Sequence, residues 1–232
     1  MRASFVIALL VGFQCAFSQQ RSGEEILRKA EENFHGIRDY TVSLDIVADI
    51  ERMNIPPMHA TMYFKQPEKV HFDAKGVVFL PREGMGVQFG QLTRRYAVDS
   101  VRREVVDGAD MYRLVLHPRD DKAVIRRMFM WIDGKRWTPE RLLMPRSDGR
   151  TLEAQLTYDR IDHFWLPSRL VVTFSAPERD TTSAAPSTNP FARDLPAASR
   201  GNTRTGTVTV DYTGYRVNTD LPDSLFDGDQ RK

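Results

Sequence analysis

Histidine and acidic side chains are the residues of this chain that could bind a metal ion or move protons. The histidines stand at positions 35, 59, 71, 117 and 163. No two of them share a spacing that would bring both to one metal from a single helix or hairpin. Asp120 and Asp121 lie between Arg119 and Lys122, a pattern more typical of a charged turn than of a general acid and base. We therefore expect no resident metal and no cofactor, although a site assembled from distant parts of the chain is the alternative.

The sequence also lacks the motifs of common enzyme classes. It has no Gly-x-Ser-x-Gly elbow, no phosphate-binding glycine loop and no dinucleotide fingerprint. Arginine pairs at 94–95, 102–103 and 126–127 could form a basic stripe for an acidic partner. The formal net charge is only +2, however, and acidic residues stand nearby, so a solvated outer face is favoured. The sequence predicts neither an enzyme nor a nucleic-acid-binding protein.

The first 18 residues have the composition of a cleavable export signal. Arg2 precedes the apolar run 5–13, and Ala16-Phe17-Ser18 places small residues where a signal peptidase reads them. The run is too short to span a bilayer. Cys15 raises the alternative of a lipid anchor, but Gln14 stands where a lipoprotein signal has a small residue. We predict cleavage after residue 18, which removes the only cysteine of the chain.

Residues 19–232 are predicted to form one mainly β (α+β) domain that begins with a helix. Ser22 and Glu25 have the spacing of a capping box, and His35-Gly36 is the predicted end of the helix. Between them the apolar residues recur at helical spacing, at Ile26, Leu27, Ala30 and Phe34. One face of this helix must therefore cover something apolar.

Period-two alternation of apolar and polar residues follows, and it predicts antiparallel strands. The longest regular segment is 40–50, and the pattern recurs at 60–64, 70–72, 112–116, 128–132, 152–158, 170–174 and 208–212. Asp133-Gly134 and Asp148-Gly149 are predicted hairpin turns, and Trp131 and Trp137 are expected to pair across the first. Such alternation is typical of a sheet covered on one face. We predict a curved meander sheet, an incomplete antiparallel β-barrel, with the helix as its cover.

Two segments interrupt the series of strands. Residues 77–92 combine apolar side chains with glycines, which indicates a mobile flap. Residues 176–204 consist mostly of Ser, Thr, Ala, Pro and Asn and predict a disordered surface loop between the last two strands.

The inner face of the predicted sheet could line an apolar cavity. Methionine adapts to ligands of irregular shape but also fills ordinary cores, so its presence on this face does not decide between the two. A strongly curved sheet of many strands encloses more space than its side chains fill, which favours the cavity. The predicted lipid-contacting residues share the inner face of the sheet or the apolar side of the helix: Met62, Phe64, Phe72, Leu114, Leu116, Met128, Met130, Leu156, Leu170, Ile26, Leu27 and Phe34.

A series of short motifs in a fixed order carries a family resemblance. They are the N-terminal helix, the strand 40–50, Tyr63-Phe64-Lys65-Gln66-Pro67 with 70–72, Asp107-Gly108, the segment 112–118, Met130-Trp131-Ile132-Asp133, Thr157-Tyr158, Leu166-Pro167 and Val217-Asn218. In this order and spacing the chain resembles the periplasmic outer-membrane lipoprotein carriers, the LolA-like family. The resemblance extends across nearly the whole mature chain.

The resemblance implies a periplasmic carrier with an incomplete barrel and a helical lid. We expect the protein to be a monomer. Such a protein shields the acyl chains of lipoproteins or other lipids in an apolar cavity and delivers them toward the outer membrane without catalysis. The implied partners are acylated lipoproteins or lipids, an inner-membrane release complex and an outer-membrane receptor. Each methylene kept from water is worth roughly 0.8 kcal/mol, so the cavity has to be apolar, roomy and closable.

One position departs from the family pattern. Carriers of this family typically have an arginine just before the proline of the Lys-x-Pro motif, and that arginine hydrogen-bonds the lid; here the position is Gln66. The resemblance makes Gln66 the predicted lid latch, and a neutral amide holds more weakly than a guanidinium.

Two alternatives stay open: a lipid- or protein-sensing periplasmic regulator of envelope stress with the same shape, and an enzyme on the same scaffold, which the missing motifs disfavour.

Overall fold

The computed structural model describes residues 21–74, 89, 92–120, 126–145, 150–175 and 205–227. The predicted export signal, Asp121, the Asp148-Gly149 turn, the loop 176–204 and most of the predicted flap lie outside the described residues. The described elements, in chain order, are α1 (Gly23–Glu32), β1 (Asp39–Ile50), β2 (Met58–Lys65), β3 (Lys69–Ala74), α2 (Leu92–Arg95), β4 (Tyr96–Val106), β5 (Ala109–Pro118), β6 (Met128–Asp133), β7 (Pro139–Pro145), β8 (Thr151–Ile161), β9 (Phe164–Ser175), β10 (Gly206–Val217) and a C-terminal 3-10 helix (Asp223–Phe226).

The ten strands form one antiparallel sheet in the order β3-β2-β1-β10-β9-β8-β7-β6-β5-β4. Each strand pairs with its neighbours in sequence except β3 and β4, and β10 pairs with β1 as well as with β9. The two edge strands, β3 and β4, are not hydrogen-bonded to each other, so the sheet does not close. The predicted incomplete antiparallel barrel is confirmed.

Alternating burial along the strands shows that one face of the sheet is the core. In β1 the even positions from Tyr40 to Ile50 are buried, whereas Val47 on the other face is 52% exposed. The buried even positions of β8 repeat this arrangement next to the exposed Gln155. A single apolar face rolled inward therefore organises the fold.

Helix α1 starts where the sequence predicts and ends earlier. The hydroxyl oxygen of Ser22 accepts a hydrogen bond from the Glu25 backbone N–H at 3.1 Å, which satisfies one of the free donors of the first turn. The helix ends at Glu32, so the predicted end at His35-Gly36 is wrong. The side-chain amide of Asn33 donates to the backbone oxygens of Arg136 and Trp137, at 2.8 and 2.9 Å. These contacts tie the chain to the β6–β7 hairpin at the position where the helix stops.

Two strands were not among the predicted ones. Strand β7 is bounded by Pro139 and Pro145, which disfavour a strand prediction, yet both lie at its ends, where a proline is tolerated. Strand β4 lies at an edge and carries Arg102 and Arg103 among only partly buried residues, so its alternation is weak. An edge strand with one partner needs less apolar surface than a central strand.

The predicted pairing of Trp131 with Trp137 is wrong. Trp131 lies opposite Arg113 and Arg141 on the outer face of the sheet. Trp137 has a positive φ of 58° and stacks on Tyr112, with ring centroids 5.5 Å apart. The turn between β6 and β7 spans more residues than a two-residue hairpin loop, and the additional residues carry Trp137 out of register with Trp131.

Candidate functional site

The predicted lipid-contacting residues converge on the inner face of the sheet and on the side of α1 that covers it. All of them are buried except Phe72, which is half-buried on the edge strand β3. Met130 lies between Leu114 and Leu142 on the neighbouring strands, and Leu156 lies opposite Leu170. This placement makes one continuous apolar surface.

Four tyrosines line one end of this surface, which we call the aromatic end: Tyr40, Tyr158, Tyr212 and Tyr215. The rings of Tyr215 and Tyr212 stack with centroids 6.4 Å apart. The ring of Tyr40 meets the Tyr215 ring edge-on, with centroids 5.6 Å apart. The hydroxyl of Tyr158 donates to the Pro139 backbone oxygen, and that of Tyr215 donates to the Pro167 oxygen, both at 2.7 Å. Burial raises the pKa of each of these phenols, so all four are neutral near pH 7.

A bulge in β10 places Tyr215 on the inner face. The register between β1 and β10 shifts between Thr41 and Ser43, opposite Gly214, whose φ is +66°. Because an additional residue reverses the alternation of a strand, odd positions after the bulge point where even positions pointed before it. Sequence alternation alone assigns Tyr215 to the outer face, and the glycine in the strand was the signal that could have corrected it.

The opposite end of the inner face carries flexible aliphatic side chains, and we call it the methionine end: Met58, Met128, Met144 and Leu152. Met144 pairs with Leu152, and Met128 pairs with Leu116. The residues Leu142 and Met144 were missed from sequence because β7 was missed. Unbranched thioether side chains change shape at little cost, which suits an adaptable surface.

Two groups hold α1 over the inner face on its β4 side. The carboxylate of Glu31, which is 7% exposed, accepts hydrogen bonds from the backbone N–H of Thr93 at 2.6 Å and from its hydroxyl at 2.8 Å. Phe34 contacts Phe89 with ring centroids 6.0 Å apart. Phe89 and Leu92, the described residues of the predicted flap, are both buried.

Gln66, the predicted lid latch, contacts the chain just after α1. Its side-chain amide donates to the Phe34 backbone oxygen at 3.1 Å, and its backbone N–H donates to the Arg38 oxygen at 2.8 Å. The adjacent Lys65 binds the C-terminal segment through the Leu221 oxygen and the Asp223 carboxylate, each at 2.7 Å. Hydrogen bonds from Lys65 and Lys69 lower the pKa of Asp223.

Several charged residues of the described chain form ion pairs on the outer face and rim. Arg95 bonds Glu68 and Arg103 bonds Asp110, each at 2.9 Å. The guanidinium of Arg141 lies 4.8 Å from the centre of the Trp131 ring and bonds Glu153 at 2.8 Å. These pairs fit the predicted solvated outer face and leave the inner face to apolar and phenolic groups.

Within the described part of the chain, no three His, Cys, Asp or Glu side chains are grouped closely enough to bind a metal ion. No helix of that part is both long and apolar enough to cross a bilayer. The chemistry that the arrangement offers is burial of hydrocarbon, with phenolic hydroxyls at one end.

Comparison with known proteins identifies the fold. No family model and no curated protein matches the chain. A LolA superfamily protein from Nitrosomonas europaea matches with 17% identity over 90% of this chain and 99% of its own, at a TM-score of 0.60. A putative outer membrane lipoprotein-sorting protein domain from Vibrio parahaemolyticus matches with 13% identity. The match covers 89% of this chain and 97% of that protein, at a TM-score of 0.59. A DUF1329 family protein from Desulfovibrio piger matches with 14% identity. The match covers 89% of this chain and 96% of that protein, at a TM-score of 0.61.

Proposed function

We propose that this chain, which has the LolA-like fold, is a periplasmic carrier that holds the acyl chains of lipoproteins or other lipids against the inner face of its sheet. The observation that carries the proposal is the unclosed ten-stranded sheet, whose inward face is apolar from edge to edge and is covered by α1. Delivery toward the outer membrane, together with an inner-membrane release complex and an outer-membrane receptor as partners, belongs to the same proposal. The protein acts without catalysis and as a monomer.

Hydrocarbon shielding is the physical task that such a surface can perform. Each methylene removed from water contributes roughly 0.8 kcal/mol, so one long acyl chain brings a large favourable free energy if it finds apolar surroundings. The predicted contact residues supply those surroundings from β2, β3, β5, β6, β8 and β9, with Ile26, Leu27 and Phe34 above them. Because the edge strands β3 and β4 do not pair, the interior can open between them without breaking the hydrogen bonds of the sheet.

Periplasmic location rests on the sequence of the N-terminus. Arg2, the apolar run 5–13 and the small residues before position 19 have the order of an export signal. Determining the N-terminal residue of the protein purified from a periplasmic fraction tests this part by itself. A mature chain that starts at Gln19 supports export, and an uncleaved chain found in the cytoplasm contradicts it.

Native mass spectrometry of residues 19–232, purified from a bacterial periplasm without detergent, tests binding directly. We expect co-purified acylated protein or phospholipid, released by solvent extraction. An apo mass that also takes up no added phospholipid contradicts the proposal and favours a role in binding protein partners.

A matched pair of variants then locates the binding surface. Ala154 is fully buried on the inner face of β8, and Gln155 is exposed on the outer face of the same strand. Ala154→Phe adds a ring to the interior and should lower phospholipid uptake strongly, whereas Gln155→Phe should leave it unchanged. Circular dichroism checks that both variants keep the β-sheet signal of the parent. Equal uptake by the two variants would place the lipid outside the barrel.

A further inference from the structure

The hydroxyl of Tyr212 is a polar group that the fold leaves unpaired at the aromatic end. Tyr212 is 5% exposed, and its Oη has no hydrogen-bond partner among the described residues. The hydroxyls of Tyr158 and Tyr215, which lie at the same end, donate to Pro139 and Pro167. Buried hydroxyls are almost always hydrogen-bonded, so an unpaired one in a candidate binding surface indicates a partner that the chain itself does not provide.

The surroundings of Tyr212 hold its ring in place. The ring stacks on Tyr215 with an angle of 6° between the planes, and its backbone pairs with Leu44 on β1. A fixed ring presents its hydroxyl at one position, which is the condition for a specific hydrogen bond. Burial, with a smaller contribution from Tyr40, raises the pKa of the Tyr212 phenol, so the group keeps its proton and can donate it.

An apolar track begins next to Tyr212 on the same strand. Val210 and Val208 are the next inward positions of β10, and both are buried. At about 3.4 Å per residue, the track from Tyr212 to Val208 is about 14 Å long and runs toward the methionine end. A ligand with one carbonyl and a long hydrocarbon chain matches this order of one donor followed by apolar surface.

We propose that the Tyr212 hydroxyl donates a hydrogen bond to the carbonyl oxygen of a bound acyl ester or amide, with the acyl chain lying along Val210 and Val208 toward the methionine end. The inference rests on the proposed function and adds the part of the ligand that is recognised. The carbonyl is the only polar group of an acyl chain. It can accept a hydrogen bond from a buried donor without carrying charge. Tyr212 is thus a specificity-determining residue that distinguishes acylated molecules from plain hydrocarbon.

The test compares two probes on the mature chain: methyl palmitate labelled with carbon-13 at its carbonyl, and hexadecane, which has no carbonyl. Tyr212→Phe removes only the hydroxyl oxygen. We expect it to weaken methyl palmitate binding about fivefold, the effect of one net hydrogen bond, and to leave hexadecane binding unchanged. The infrared carbonyl stretch of the bound ester should lie at lower frequency in the parent protein than in the variant.

Tyr215→Phe is the matched control. Its hydroxyl already donates to Pro167, so the variant should lose stability while the ratio of ester to hexadecane affinity stays that of the parent. Tyr212→Phe has no protein hydrogen bond to lose, so its midpoint of thermal unfolding should equal or exceed that of the parent.

The outcomes separate the two proposals. If the parent binds neither probe, the proposed function fails and this inference fails with it. If the parent binds methyl palmitate and Tyr212→Phe binds it equally, with the same carbonyl frequency, only the role of Tyr212 is overturned, and an ordered water is then the partner of its hydroxyl.

Discussion

The two ends of the inner face carry different side chains and hold them in different ways. At the aromatic end, rings stack and hydroxyls are fixed by backbone oxygens, as at Tyr158 and Tyr215. At the methionine end, Met128 and Met144 pack against Leu116 and Leu152 through apolar contacts. Directional bonds fix a geometry, whereas thioether packing tolerates several. The aromatic end is therefore the more fixed of the two, and the methionine end is the more adaptable.

The largest effect is expected where the rim of the aromatic end depends on a buried carboxylate. Asp39 is 1% exposed and accepts hydrogen bonds from the Thr219 and Asp220 backbone N–H groups, at 2.8 and 3.1 Å. Asp39→Ala leaves both donors unpaired and should lower the free energy of unfolding by about 3 kcal/mol. Urea denaturation measures the change. Asp39→Asn keeps one acceptor and should cost less; an equal loss in both variants would mean that the hydrogen bonds are not the cause.

A second comparison sets one end directly against the other. Tyr158→Phe removes a buried 2.7 Å hydrogen bond to the Pro139 oxygen, so it should cost about 2 kcal/mol. Met144→Leu keeps volume and hydrophobicity and should cost less, below about 1.5 kcal/mol. Both free energies come from the same urea series at pH 7. A larger cost at Met144 would contradict the division into a fixed and an adaptable end.

The two contacts that hold α1 provide a third comparison. Glu31 offers a buried carboxylate to two Thr93 donors, whereas Gln66 makes one neutral amide bond to the Phe34 oxygen. Hydrogen bonds to charged groups are worth about twice as much as neutral ones. Glu31→Gln should therefore raise the amide hydrogen-exchange rates of α1 more than Gln66→Ala does. The reverse order would make Gln66 the principal latch despite its neutral amide.

The smallest effect concerns acid stability at the rim of the aromatic end. Hydrogen bonds from Lys65 and Lys69 lower the pKa of Asp223 below its ordinary value of 3.8. Because the folded-state pKa is lowered, the contribution of Asp223 to the free energy of unfolding is complete above the ordinary pKa. It is lost as the pH falls through the folded-state pKa. Asp223→Asn should slightly weaken the dependence of the free energy of unfolding on pH below about pH 4. Because Asp223 is exposed, high salt should shrink the difference between the proteins.

Local patterns were sufficient for the elements that bury one face. The alternation in 40–50 predicted β1, and the Ser22 cap predicted the start of α1; both follow from repeats and caps that involve only neighbouring residues. The predicted contact residues were placed on the inner face for the same reason. Strand β7 was missed because its apolar segment is short and its two prolines are turn signals on their own.

Contacts between distant residues were beyond sequence reasoning. Tyr215 enters the inner face through the bulge at Gly214, which is visible only against the register of β1. Glu31 of α1 and Thr93 of α2 are hydrogen-bonded, and the sequence of neither segment predicts this contact. The unpaired Tyr212 hydroxyl is likewise a property of its surroundings and not of its strand.

The sequence by itself determined a mainly β chain with one apolar face, a covering helix and an N-terminal segment with the pattern of an export signal, because these depend on composition and on periods of 2 and 3.6 residues. Only the tertiary structure decided which strands are edges, where the alternation reverses and which polar groups stay unpaired inside. Those features depend on strand order and register, which bring together residues far apart in the chain.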